Sequence, residues 1–266
     1  MIINKETIIQ LAKQGKRLDG RGLLEYRGPI ELETDISWTA EGSAKVRIGE
    51  TVVLAGVKMT MDKPYPDTPD EGGITFNAEL LPLSSPEYEP GPPQIKGIEL
   101  ARVTDRGVRE SKAIDFKKLC ITPGEKAWFL TIDLMTINDA GNLFDVATMA
   151  ALAALKNARF PVVDEKGVID YHKKTDKHVP LVKEPIGITV YKISGHLLVD
   201  PTNQEEKSYD ARLTIASDEK GIISAMQKGG DAPLTVEDIS KMIDIALDKA
   251  KFLRNILNKE LEKKKK

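Results

Sequence analysis

Three arginines in "ELARVTDRGVRES", Arg102, Arg106 and Arg109, have the type and spacing to hold a run of phosphates. On a helix, separations of four and three place all three on one face. Planar guanidinium groups on a rigid element can cradle the backbone of single-stranded RNA. The same spacing also suits a salt-bridged, solvated surface. Glu99 stands three before Arg102, and Asp105 stands four before Arg109. Spacing alone favours the solvated surface, because charged helix faces are usually of that kind.

A second candidate is the turn Asp139-Ala140-Gly141-Asn142, just before the apolar run that starts at Leu143. Free amides at a helix N-terminus can bind an anion. However, no Ser, Thr, Lys or Arg lies between Asn138 and Asp145, and Asp139 and Asp145 would repel phosphate. Asn142 or Asp145 is therefore expected to be a simple helix cap. Asp200, Glu205, Glu206 and Asp210 could gather around Mg²⁺, but "DPTNQEEKSYD" has the composition of a solvated loop, and that is the expectation. His172, His178 and His196 lack zinc spacing and a cysteine cluster. "GPPQIKG" has its glycines and lysine in the wrong order for a phosphate loop.

These candidates need elements to position them. Residues 5–14 predict a short amphipathic helix. Ala44, Val46 and Ile48 alternate before Gly49-Glu50, which has the Gly-X form of a two-residue hairpin turn. "DKPYPDTPDEGG" and "LSSPEYEPGPPQIKG" are proline-rich extended loops around the strand "ITFNAELLP". Residues 95–113 predict a helix, 127–137 a strand, and 143–157 a helix whose alanines allow close packing. Residues 161–184 show no periodicity and read as a linker. "GITVYKI" and "HLLVD" predict a hairpin about Ser194-Gly195, and "ARLTIAS" and "GIISAMQ" two more strands. A long helix follows from Thr235 to about Leu257. Thr235 and Asp238 resemble its capping box, and Ile239, Met242, Ile243, Ala246, Ala250, Leu253 and Ile256 form its apolar face. Both parts run strands first and helix after, which suggests α+β layers in two related units.

At 266 residues, 41% hydrophobic and 30% charged, the chain can bury a large core without disulfides or metal. Its one cysteine, Cys120, excludes an internal disulfide and fits a reducing compartment. A formal net charge of −2 means that attraction to nucleic acid must come from a local patch. The terminal "KKKK" reads as a solvated tail. No apolar run approaches the ~20 residues needed to span a bilayer, and "MIINKETIIQLAKQGKR" has no apolar signal core. The expectation is a soluble, cytoplasmic protein with no membrane partner.

From about residue 15 to 257 the chain resembles the RNase PH family. The resemblance rests on "RLDGRGLLEYR", "GSAKVRIGETVVLAG", "DKPYPDTP", "NAELLPL", "EPGPP", "IELARVTDRGVRES", "NDAGNLFDVATMAALAAL" and "LLVDPTNQEE", in this order and spacing. Within the family it is most similar to the non-catalytic ring subunits of the archaeal exosome. The resemblance implies an α+β fold of RNase PH type, like domain 2 of ribosomal protein S5, in two related βα halves. The implied division is 1–30 as N-terminal helix and extended segment, 31–184 as first half with its connecting segment, 185–258 as second half, and 259–266 as charged tail. It also implies a hexameric ring, a trimer of heterodimers with a catalytic partner, covered by RNA-binding cap proteins. Single-stranded RNA would be degraded from its 3′ end, with inorganic phosphate attacking at the partner's site and no cofactor of this chain's own.

Catalytic members of the family read Asp-Gly-Gly-Ser/Thr-Arg at the turn before the alanine-rich helix, and the hydroxyl and arginine hold phosphate. Gapless placement puts Asn142 at the hydroxyl and Leu143 at the arginine. Leucine cannot bind an anion. Counting from Asp200 puts Arg212 at the family's catalytic carboxylate, and of a paired arginine before the first long helix only Lys96 remains, preceded by Ile95. The resemblance thus implies a degenerate phosphate site at Lys96, Asn142 and Leu143, a degenerate carboxylate at Arg212, and no catalytic residue. It also turns the reading of Arg102, Arg106 and Arg109 towards RNA contact. Two alternatives stay open at this point. One is a stand-alone phosphorolytic exoribonuclease with an unconventional site around Arg212 and the carboxylates of residues 200 to 210. The other is an architectural chain whose arginines join subunits.

Overall fold

The computed structural model describes residues 5–263. The N-terminal helix is α1 (Lys5–Lys13). A first sheet is built from β1 (Ile30–Thr34), β2 (Gly42–Ile48), β3 (Thr51–Asp62), β4 (Gly73–Leu80), β5 (Cys120–Thr122) and β6 (Lys126–Asn138). Helix α2 (Ile95–Glu110) follows β4, and α3 (Leu143–Asn157) follows β6. Next come the hairpin β7 (Arg159–Val163) and β8 (Ile169–His178), and then β9 (Ile186–Ile193) and β10 (His196–Val199). The one-turn helix α4 (Asn203–Glu206), β11 (Ala211–Ser217), β12 (Ile223–Gly229) and the long α5 (Val236–Lys263) complete the order.

The first sheet runs β1-β2-β3-β6-β4, with β5 beside β6; β4 is parallel to β6 and the other pairings are antiparallel. Its periodicity follows from its residues. Val53, Ala55, Val57 and Met59 on β3, and Leu130, Ile132 and Leu134 on β6, are buried at every second position. The second sheet, β10-β9-β11-β12, is antiparallel throughout. Strand β9 is buried on both faces. Ile186, Ile188 and Val190 join the main core, while Tyr191 and Ile193 meet Ile8 of α1 and Leu198 in a smaller cluster.

Helix α3 lies between the sheets, touching β2, β3 and β9, and every residue from Leu143 to Leu155 is buried. A helix buried all round needs small side chains, and its alanines let both sheets approach. The Gly49-Glu50 turn joins β2 to β3 and the Ser194-Gly195 turn joins β9 to β10, both as the sequence suggests. At the head of α5, Asp238 N donates to Thr235 Oγ1 at 3.1 Å and Thr235 N to Asp238 Oδ2 at 2.9 Å, which is the expected capping box.

Two expectations need correction. Residues 161–184 are not a plain linker, because β7 and β8 pair there as a hairpin. Most of β8 is exposed or half-buried, so no apolar alternation marks it. Helix α5 also runs beyond Leu257 to Lys263, where an ion pair with Glu260 three residues earlier supports its last turn. The rest of "KKKK", residues 264–266, lies outside the described residues.

Candidate functional site

The turn between β6 and α3 is held from all sides by the segment that links β10 to β11. Gly141 has φ +97°, and a Cβ there would lie 2.4 Å from the Pro201 carbonyl oxygen, so conformation and space both require glycine. Asn203 Nδ2 donates to the Asp139 carbonyl at 2.8 Å. Asn142 adopts left-handed backbone angles, φ 64° and ψ 37°. Its buried Nδ2 donates to Asp200 Oδ1 at 2.9 Å.

Neither expected cap is made. Asn142 forms no side-chain capping bond. Asp145 is fully buried and accepts from Tyr26 OH at 2.6 Å and from Thr189 N at 2.7 Å. Burial pushes its carboxyl up to about 7, the bonds from Tyr26 and Thr189 pull it down, and nearby Asp200 adds to the rise. The amide at the helix entrance is satisfied from the second half instead: Asn142 N donates to Glu206 Oε1 at 2.8 Å. Tyr191 OH donates to the same oxygen at 2.9 Å. Burial raises the Glu206 carboxyl above the ordinary glutamate value, while Lys96 and the Asn142 amide oppose the rise.

The acidic stretch is therefore not a solvated loop. Asp200 and Glu205 are buried, each against arginines from the segment ahead of β1. Arg27 binds both Asp200 oxygens, at 2.8 and 3.0 Å, and donates to the carbonyls of Ala140 and Gly141. Arg21 reaches Asp200 at 3.0 Å. Arg17 makes a bidentate pair with Glu205 and also donates to the carbonyls of Val199 and Asp200. Buried carboxylates persist only with such partners. Asp210 differs: it is half-buried and pairs with Lys5 at the surface. Among the described residues, no group of three or more His, Cys, Asp or Glu is placed to hold a metal ion.

Lys96, Leu143 and Arg212 meet at one cavity of about 230 Å³, together with Glu99, Asp139 and Glu206. Lys96, in the first turn of α2, pairs with Asp139 Oδ2 at 3.1 Å, and Tyr88 OH donates to that same oxygen. Burial works against the Lys96 ammonium, yet Asp139, Tyr88 and Glu206 hold it above the ordinary lysine value. Arg212 stacks on the Phe144 ring at 4.4 Å from the centroid and lies against Gly229, where a Cβ would sit 2.6 Å from its guanidinium carbon. Its Nη2 donates to Glu99 at 2.7 Å, while its buried Nη1 has no hydrogen-bond partner among the described residues. The Leu143 side chain is hydrocarbon throughout and brings no donor to this cavity. Asn142, the remaining residue of the expected phosphate site, is fully buried and does not line the cavity.

Arg102, Arg106 and Arg109 are all exposed on α2. Asp105 grips Arg109 with both oxygens, at 2.8 and 3.1 Å, as the spacing suggests, and Arg109 also donates to the Ile74 carbonyl. Arg106 donates to Gln227 at 2.8 Å. The expected Glu99–Arg102 pair is replaced by Glu99–Arg212, since a buried guanidinium in the cavity outcompetes an exposed one. Arg102 has no hydrogen bond or ion pair among the described residues, so its guanidinium is the most available of the three.

Sequence reasoning missed Arg17, Arg21, Arg27, Tyr26, Tyr88 and the roles of Asp139 and Glu206. The signal was present as three arginines in "RLDGRGLLEYRG" and three carboxylates after Leu198, but more than 170 positions separate them.

Two sheets packed on a buried alanine helix, with a cavity lined by charged side chains at that helix's entrance, give the chain an RNase PH type of fold. The chain belongs to the 3′ exoribonuclease family: domain 1 of the family matches residues 26–161 and domain 2 matches residues 183–249. It is 47% identical over 263 residues to the exosome complex component Rrp42 of Methanosarcina acetivorans, covering 98% of this chain and 96% of that protein. Against the Rrp42 component of Pyrococcus furiosus the identity is 44% over 264 residues, covering 98% and 95%. Among solved structures, it superposes with a TM-score of 0.86 and 41% identity on a chain of an Archaeoglobus fulgidus exosome with RNA bound to the active site. That match covers 94% of this chain and 96% of the other. A rice Rrp46 structure, 17% identical with a TM-score of 0.69, shares the fold. No helix among the described residues is long and apolar enough to cross a membrane.

Proposed function

We propose that this chain is a non-catalytic, RNA-binding ring subunit of an exosome, a phosphate-dependent 3′–5′ exoribonuclease complex of the cytoplasm. It alternates with a catalytic RNase PH-like partner in a hexameric trimer of heterodimers beneath RNA-binding cap proteins. It uses no cofactor, and inorganic phosphate acts at the partner's site. The observation that carries this reading is the entrance of α3. There the Leu143 side chain offers no donor, the Asn142 side chain is turned inward to Asp200, and the Asn142 amide is engaged by Glu206. Arg212 stands where the family places its catalytic carboxylate, and a guanidinium cannot act as a base. The exposed arginines of α2 support the RNA-binding part: they can hold a 3′ end against the partner's phosphate site and contribute proximity.

The test is phosphorolysis of single-stranded RNA by the isolated chain, by its partner, and by the reconstituted ring. The isolated chain is expected to be inactive and the ring active; robust activity of the chain alone refutes the proposal. In the ring, Arg102→Ala and Arg106→Ala are expected to weaken RNA binding more than Arg109→Ala, because Asp105 already holds Arg109. Loss of ring assembly with RNA affinity intact would favour an architectural use of the stripe. The stand-alone phosphorolytic alternative is not favoured, because Asp200 and Glu205, two of the carboxylates it would draw on, are buried in ion pairs with Arg27 and Arg17.

A further inference from the structure

We propose that the exposed apolar start of α2, together with the proline-rich segment ahead of it, is the surface on which the catalytic ring partner docks. The inference rests on the ring-subunit reading and adds to it the face that the partner covers. The outer stripe of α2 is Ile95, Ile98, Arg102, Arg106 and Arg109, each exposed and three or four positions from the next. Its first part is hydrocarbon: Ile95 is 85% exposed and Ile98 50%. In the segment from Leu80 to Pro93, Pro82, Pro86, Pro90, Pro92 and Pro93 recur, and only Glu87 and Glu89 are charged. Leu83 in that segment is 76% exposed. Between the segment and the end of β4 lies an open groove of about 310 Å³, whose lining includes Leu80, Leu81, Pro82, Pro92, Pro93 and Gly97.

The segment is pinned from within. Asp139 N donates to the Ser84 carbonyl at 3.0 Å, the Ser84 hydroxyl meets Thr136 Oγ1 at 3.0 Å, and the buried Tyr88 donates to Asp139. Its prolines fix φ at five positions. A long segment held this firmly, yet turning leucine and proline outward, has the character of an interface. Its rigidity also lowers the entropy lost on docking.

Charge and position choose the occupant. Glu79 and Glu89 line the groove, and neither side chain has an ion pair or hydrogen bond among the described residues. They repel an RNA backbone and favour a protein face with apolar side chains inside a basic rim. A two-fold pairing of this face with a second copy would bring like carboxylates together. Ile98 lies about 6 Å along the helix axis from Arg102, whose guanidinium has no partner among the described residues. A subunit seated on Ile95 and Ile98 therefore brings its own site beside Arg102. The other end of the stripe runs into Glu110 and Lys112, both exposed and charged, and offers no such apolar ground.

The test is titration of the full chain with the purified catalytic partner, read by light scattering and by polarisation of labelled single-stranded RNA. The chains compared are wild type, the double variant Leu83→Asp with Ile98→Asp, Ile98→Leu, and Glu89→Lys. The replaced side chains are exposed, so each variant alone is expected to keep the wild-type Tm; should the aspartates lower it, Ile98→Ser and the salt dependence of Glu89→Lys carry the same test. The aspartates are expected to weaken partner binding at least about tenfold, and Ile98→Leu to leave it unchanged. Excess partner should restore both the ring and its RNA binding. Glu89→Lys is expected to weaken assembly most at low salt. Three results overturn the assignment: assembly of the double variant as tight as wild type, RNA binding lost from a fully assembled ring, or self-association of the isolated chain that the aspartates abolish. A wild-type chain that does not bind the partner at all refutes the ring-subunit reading itself, which keeps the two failures distinct.

Discussion

Replacing Asp145 by Asn should change the pH dependence of stability in a calculable way. Asp145 is completely buried, its ordinary carboxyl value is 3.8, and in the folded chain burial lifts it to about 7. An acid raised on folding stabilises the fold fully below 3.8, where folded and unfolded chains both carry the proton. That contribution is lost as pH rises towards 7, because the unfolded chain ionises while the folded chain retains its proton. At about 1.36 kcal/mol per pKa unit, the full loss is on the order of 4 kcal/mol, and roughly 2.5 kcal/mol of it falls between pH 5 and pH 8. Asparagine cannot ionise, and its carbonyl can still accept from Thr189 N. Urea unfolding of both proteins at fixed ionic strength should therefore show wild type losing ground to Asp145→Asn by roughly 2.5 kcal/mol from pH 5 to pH 8. A wild-type-minus-variant difference that stays flat across this range refutes the claim that the buried carboxyl is held protonated below neutrality.

Two further outcomes test how the site is held. Arg17→Met leaves Glu205 buried without its partner and should cost about 3–5 kcal/mol in urea unfolding. The double variant Arg17→Met with Glu205→Met should cost clearly less than the two single changes summed, and strict additivity would show that the pair is not coupled. Gly141→Ala forces a Cβ to within 2.4 Å of the Pro201 oxygen at φ +97°, so it should destabilise the chain by roughly 2–4 kcal/mol.

Much of the fold is legible in the sequence because its elements carry strong periodicity. β3 alternates, α3 is mostly apolar and rich in alanine, and α5 repeats its buried face through Met242, Ala246, Ala250 and Leu253. The β7–β8 hairpin escapes because its strands are mostly half-buried or exposed and leave no pattern. Lys96, Leu143 and Arg212, assigned from the family resemblance, line one cavity, whereas Asn142 is buried and is not part of its lining. The site's electrostatics are not legible, for a physical reason. Whether a carboxylate is solvated or buried depends on its partner, and the partners of Asp200 and Glu205 lie at Arg27 and Arg17, near the other end of the chain. The Glu99–Arg102 spacing misleads in the same way, since local geometry permits a pair that a distant, more buried guanidinium takes.

Helix α3 is the wall that both halves of the molecule lean on, and it has no wet side. Cut the chain between residues 184 and 185, and the N-terminal piece keeps the helix but exposes to water the flank that β9 covers, while the other piece loses the surface on which its sheet is laid. That each part has a sheet of its own therefore does not make them separable. Each is half of a mould, and the alanines of α3 are the parting line along which the two castings set together.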